Sequence, residues 1–351
     1  MRDAIDPWRW CTARRPSARW TAVCPLARWP CPRHDRGMKS RVHPTYKTRY
    51  RVGNWRAYER ALVQRGDVTL WLSPGARAGW AAPPCGRPGG QPRFSDLAIE
   101  TALTLRLVFR LPLRQTEGFV RSILGVMRAG LDAPDHTTLS RRSQRLEVAW
   151  HAVPADGPLH LIIDSTGLSV VGEGEWATAK HGGRGTRGWK KLHLGVDRSG
   201  VIVAQALTEA TVDDAAVGID LIGAVPGDVV SVTGDGAYDT VGFYEAARAR
   251  HAVVVVPPAR TAKVSRSRPR SSARDRTIAD VEALGRRAWK KTSGYHRQAR
   301  VENAFFRYKT IIGAGLRARS RGGRRVEARL ACCVLNRMTA LGRPESRAIS
   351  R

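Results

Sequence analysis

Two apolar runs of strand length, each closed by an aspartate, constrain this chain more than any other feature: LHLIIDST, which carries Asp164, and DVVSVTGD, which ends at Asp235. A run without polar alternation has no face to offer water, so each reads as a strand buried on both sides. Strands of that kind need helices over both faces of their sheet. KKLHLGVD and VIVAQALT, joined at Arg198-Ser199-Gly200, predict a hairpin beside the first run. Asp213-Asp214 predicts a helix start, its acids read as caps and not as ligands, with the helix running to about Ala224. A second helix is expected from Tyr238 to Arg250, and AVVVVP is a last strand ended by Pro257-Pro258. Helical pattern resumes at about Thr277 and continues to about Met338.

The resulting order, β-β-β-α-β-α-β-α, describes an α/β domain with a mixed sheet flanked by helices, as in RNase H-like folds. Upstream, NWRAYERALVQRGDVTLWL predicts a short helix, a glycine turn and a strand, and residues 73–93 form a Pro/Gly-rich linker. Ser95-Asp96 opens a helix to about Phe109, a second spans about Arg114 to Met127, and Asp135 with Thr137 caps a third that carries Arg141, Arg142 and Arg145. Three short helices ending in a basic one suit an N-terminal helical, helix-turn-helix-like DNA-binding region; an ordinary bundle with a solvated basic face fits the pattern equally. The expected organisation is a leader over 1–37, disordered or untranslated with Met38 as the natural start, then an N-terminal segment and linker over 38–93. The helical region covers 94–150 and the catalytic domain 157–340, with a basic mobile insertion at 259–276 and a disordered tail over 341–351.

A formal charge of +30, from 60 Lys and Arg against 30 Asp and Glu, points to a polyanionic partner, because such side chains displace counterions from phosphates. No apolar run is long enough to span a bilayer, so a cytoplasmic protein without a membrane partner is expected. The six cysteines contain no C-x-x-C pair, and neither a zinc cluster nor a disulfide framework follows.

Against this basic background three carboxylates stand out: Asp164, Asp235 and Glu302, the last in SGYHRQARVENAFFRYK. Two strand-end aspartates on one side of a sheet offer the oxygen ligands that suit Mg²⁺. Tyr295, Glu302 and Lys309 recur at intervals of seven, about two helical turns, and so share a face of one helix. Three spaced carboxylates in a nucleic-acid-binding chain predict two-metal phosphodiester chemistry. Lys180 and His181, in KHGGRG, are candidates for phosphate or flanking-DNA contacts. Trp176 and Trp189 read either as core residues or as stacking platforms for an unpaired base.

The strings NWRAYERALVQRG, PLRQTEGFVRSIL, LIIDSTGL, GEGEWATAKHGG, SVTGDGAYDT, VVVVPPAR, SGYHR and RVENAFFRYKTIIG are collinear over about residues 44–342. In them the chain resembles bacterial insertion-sequence DDE transposases of the IS-five type. The resemblance implies an RNase H-like core with Asp164, Asp235 and Glu302 as catalytic and metal-binding residues. It implies dependence on two Mg²⁺ ions, with Mn²⁺ as a substitute, and binding to terminal inverted repeats and target DNA. A homodimer or larger assembly is expected in the synaptic complex. The family signature Tyr-x2-Arg-x3-Glu-x6-Lys places Tyr295, Glu302 and Lys309 in register, whereas Gln298 occupies the arginine position. Arg297 flanks it and is the expected DNA contact. A structure-specific nuclease and an inactive remnant that only binds DNA are the alternatives.

Overall fold

A computed structural model describes residues 49–71, 75, 77–84, 86, 88–150, 157–171, 189–265 and 272–349. Arg51–Arg347 form one compact unit; the other, Met1–Tyr50 with Ala348–Arg351, contributes only short strand ends to the described residues. Strand β1 (Arg49–Val52) precedes helix α1 (Trp55–Gln64). The stretch after α1 is not the expected strand but a 3-10 turn, Val68–Trp71, because Asp67 takes the backbone and side chain of Thr69 and the Trp71 indole donates to the Arg65 carbonyl. Within the Pro/Gly-rich segment, Trp80 is buried and its indole donates to the Asp132 carbonyl, so this segment is anchored at that point.

Helices α2 (Asp96–Val108), α3 (Leu113–Val126) and α4 (His136–Arg142) follow, α2 and α4 started by the caps read from the sequence. Ser95 accepts from the Ala98 N–H, and Asp135 from those of Thr137 and Thr138. The sheet comprises β2 (Leu159–Val170), β3 (Trp189–Val196), β4 (Ile202–Glu209), β5 (Val229–Thr233), β6 (Val253–Val255) and β7 (Gly315–Leu316). Its order is β4-β3-β2-β5-β6, with β7 pairing to β2. β2–β3 and β3–β4 are antiparallel, β2–β5 and β5–β6 parallel: the mixed sheet expected of an RNase H-like domain. The β3–β4 turn is the predicted hairpin, with Asp197 accepting from the Ser199 and Val201 N–H groups and Gly200 at φ +83.

Alternate residues of β2 feed opposite cores, which is why its sequence is apolar without alternation. Ile162 and Leu168 join Leu192, Leu194 and Val196 against α2, α3, α4, α9 (Ala299–Arg307) and α10 (Arg321–Leu341). Leu161 and Ile163 face α5 (Asp214–Ala224) and α6 (Val241–Ala249) on the other side. The helical region and the sheet thus share one hydrophobic cluster. Helix α7 (Ala273–Leu284) starts four residues before the expected Thr277, capped by Ser272, and leads through α8 (Arg286–Thr292) to the Glu302 segment. The expected disordered tail is ordered at 341–349: the Glu345 N–H donates to Asn54 Oδ1, the Gly53 N–H to the Glu345 carbonyl, and β8 (Ser346–Ile349) pairs with β1. Among the described residues no helix is long and apolar enough to cross a membrane.

Candidate active site

The parallel ladder between β2 and β5 ends at the pair Ile162–Thr233. Beyond it β5 turns away, while β2 continues against β3 to Val170. Asp164 therefore lies in mid-strand and not at a strand end, at the point where β2 loses its neighbour on one side. Asp235 stands two residues past the same rung, where its side chain accepts from the Ala237 N–H and caps the 3-10 turn Gly236–Tyr238. Equal offsets from one rung of a parallel pair put both carboxylates on the same side of the sheet. It is the side covered by α9, since Ile162 and Leu194, the cross-strand partner of Asp164, pack in one cluster with Val301, Ala304 and Phe305.

The Glu302 segment is not the single helix that the sevenfold spacing predicts. It runs as a 3-10 turn (Tyr295–Gln298), α9, and a π-helical turn (Tyr308–Ile312). Glu302 is exposed in the first turn of α9, where its charge favours the helix dipole. Lys309 is exposed in the π turn. Tyr295 is packed: its ring lies 6.4 Å from that of Trp289, and the Lys290 ammonium is 4.7 Å from its centroid. Gln298 is buried, and its Nε2 donates to the Ile163 carbonyl over 3.2 Å, filling the backbone position that β5 leaves open beside Asp164.

Electrostatics tie the three carboxylates together. Burial pushes the Asp164 carboxyl up to about 6, the Ser165 N–H opposes this, and the negative charges of Asp235, Glu302 and Asp214 add to it. The Tyr295 phenol is raised by burial and then by Asp235, Asp164 and Glu302, which places it against the same set. The charges that act most on Asp164 are all negative.

Two family profiles, each described as a transposase DDE domain, match residues 63–173 and 155–338. The second alone spans more than half of the chain and all three carboxylates. The chain belongs to the DDE transposases.

Not every expected contact of this transposase falls into the site. Arg142 bonds to the Phe94 carbonyl and the Asp96 carboxylate, and so ties α4 to α2. Arg141 is exposed and only grazes the Thr138 hydroxyl. Arg297 is exposed and, after burial, helps to lower the His160 pKa. Lys180, His181 and Trp176 lie outside the described residues; Trp189 is partly exposed, with its ring over Gly167.

Sequence reasoning missed Asp214 and Tyr238. Only Asp213 caps α5, through the Ala216 N–H. Asp214 turns to β3, where Lys191 Nζ lies 3.3 Å from it and buried His193 3.6 Å. The signal was the Lys191-x-His193 alternation, which sets both side chains on one face of β3. Tyr238 is buried with an unpartnered hydroxyl, its phenol raised by burial and by Asp164, Asp214 and Asp235. Its ring is wedged where a Cβ at Gly218 or Gly234 would come within 2.9 Å.

The donor set of Asp164, Asp235 and Glu302 is all oxygen and mutually repelling, which fits a hard divalent cation. Among the described residues no group of three or more His, Cys, Asp or Glu is drawn together closely enough to hold an ion as it stands. The arrangement is an acidic notch and not a closed cage.

Proposed function

We propose that this transposase binds the terminal inverted repeats of an insertion sequence, cleaves DNA there, and joins the freed 3′-hydroxyl to target DNA, with Asp164, Asp235 and Glu302 as its catalytic residues. DDE transposases use divalent metal ions; here the three carboxylates would hold two Mg²⁺, or Mn²⁺, which supply activation of water and neutralisation of charge at the phosphate. The chain's own part is orientation. Asp164 is fixed by a strand paired to β3, Asp235 by its cap on Ala237, and Glu302 by a helix whose buried face packs on the sheet. Tyr295, Arg297 and Lys309 line the DNA strand beside that helix.

In the first step water oxygen attacks the phosphorus and the bond to the 3′-oxygen breaks, which releases a 3′-hydroxyl and leaves a 5′-phosphate. In the second that hydroxyl attacks a target phosphodiester, its oxygen bonds to the target phosphorus, and the target strand's own 3′-oxygen leaves as a 3′-hydroxyl. Synapsis of two ends calls for a homodimer or larger assembly, acting in the cytoplasm.

The observation that carries this reading is the equal offset of Asp164 and Asp235 from the Ile162–Thr233 rung, which sets both carboxylates on one side of the sheet. A strained acidic cluster in a basic chain is what a cation and a polyanion together would relieve. The test is incubation of labelled repeat ends with the protein and Mg²⁺. Cleavage and strand-transfer products are expected, and Asp164→Asn abolishes both while DNA binding persists. Cleavage without strand transfer favours a nuclease; normal cleavage by Asp164→Asn refutes the site.

A further inference from the structure

Two clefts lie side by side along the edge strand β4, the second of only about 20 Å³. The first, about 500 Å³, is lined by Arg145, Gln205, Leu207, Arg325 and Arg329. The second shares Leu207 and Arg325 and adds Lys190, Arg321 and Arg324. Six cations (Arg145, Lys190, Arg321, Arg324, Arg325, Arg329) line this groove against one carboxylate, Glu209, which pairs with Lys190. Two of the arginines are held in place: Arg324 Nε donates to the Ala318 carbonyl, and Arg329 Nε to that of Val148, with its guanidinium over the Trp150 ring. Arg145, Arg321 and Arg325 are exposed.

The groove has a defined relation to the acidic notch. Asp164 pairs with Leu194, and Leu194 with Gln205 in the groove floor. Two strand spacings, about 10 Å, therefore separate the carboxylate from the floor. Leu207 packs on the same cluster as α9 and α10, so both features open on one side of the sheet. Lined guanidinium groups recognise phosphate oxygens bidentately, and an arginine-rich wall over a neutral floor reads backbone and not bases.

We propose that this groove seats the sugar–phosphate backbone of DNA, irrespective of sequence, and leads it towards the carboxylates. The proposal rests on the DNA-cleaving reading above only for what the held strand is then used for.

The test is equilibrium binding of the full chain to duplexes with and without repeat ends, in EDTA, over a range of salt. Substituting Arg145, Arg321 and Arg325 together by alanine is expected to reduce the slope of log K against log salt by about 2 to 3, since each lost phosphate contact removes about 0.9. Both duplexes lose affinity by the same factor, and the triple lysine variant recovers most of the slope. An unchanged slope overturns the groove and leaves the transposase reading standing, as does a loss confined to repeat ends. Arg325→Ala alone, expected to cost about one contact, serves should the triple variant fold poorly. Because metal is absent throughout, failure of cleavage cannot imitate failure of the groove.

Discussion

The side-chain amide of Gln298 donates to the Ile163 carbonyl, one residue before Asp164, across 3.2 Å. Gln298 stands where the family signature has arginine, and glutamine lacks that residue's charged fork. It is 4% exposed and works inside the molecule, pinning the 3-10 turn ahead of Glu302 to the strand that bears Asp164. One buried hydrogen bond thus sets the spacing between two of the three carboxylates.

Gln298→Leu removes the donor and strands the Ile163 carbonyl. An uncompensated buried acceptor costs about 1–3 kcal/mol, and urea unfolding should show a loss of that order. Gln298→Arg should destabilise as well, because it forces a longer, charged side chain into a buried position fitted to an amide, and so it should not raise nicking. A stable, more active Gln298→Arg protein would contradict this placement.

Asp164 should weaken the fold as it ionises. Its folded pKa is raised from 3.8 to about 6, so the native state binds more protons than the unfolded one between those values, and stability falls as pH rises through that window. Above about pH 6 the penalty is complete. Its ceiling is about 3 kcal/mol for a shift of about two units, and solvent access reduces it to roughly 1–2 kcal/mol. Asp164→Asn is therefore expected to be more stable than the parent by that amount at pH 7 and equal to it below pH 4, as denaturant titrations at several pH values would show.

Divalent metal should act on the same penalty. Mg²⁺ at 100 times its dissociation constant stabilises a native site by about 2.7 kcal/mol, so the melting temperature at pH 7 should rise on its addition. Asp235→Asn should blunt the rise. Equal metal-induced shifts in both proteins would mean that Asp235 holds no ion.

Gly322 lies at the start of α10 against the chain end of α4, where a Cβ would come 2.3 Å from the Gln144 carbonyl oxygen. Neither side is a flexible side chain, so Gly322→Ala should cost about 1–3 kcal/mol despite the better helix propensity of alanine. Thermal unfolding against the parent measures it, and a neutral result would show that the two helix ends part easily.

Tyr238→Phe removes a buried hydroxyl that has no partner. Deleting an unsatisfied polar atom while keeping the ring should leave stability unchanged or raise it by about 1 kcal/mol. A clear loss, read by calorimetry, would reveal an ordered water bridging the hydroxyl to the acidic notch.

Local pattern was enough for the elements. The two apolar runs, the Arg198–Gly200 turn and the Ser95, Asp135 and Asp213 caps could be read directly, because periodicity and capping depend on near neighbours. Spacing alone misplaced the Glu302 segment, for a sevenfold interval assumes one α-helix, and the packing of Tyr295 and Tyr308 on either side of α9 draws the chain into 3-10 and π turns. The Val68–Trp71 turn escaped although its bonds to Asp67 and Arg65 are local, because an apolar run reads as a strand by period alone; the 341–349 segment escaped because its partner lies nearly three hundred positions away.

What the amino-acid sequence determined by itself was the kind of domain and the three acids proposed for its chemistry. Only the tertiary structure decided that β5 ends two residues short of Asp164, that Gln298 fills the gap, that Asp214 turns inward while Asp213 caps, and that six cations from three separate segments meet along β4. Strand order and the face a side chain takes are set by pairing across long stretches of chain, and that information is not carried by any one window of residues.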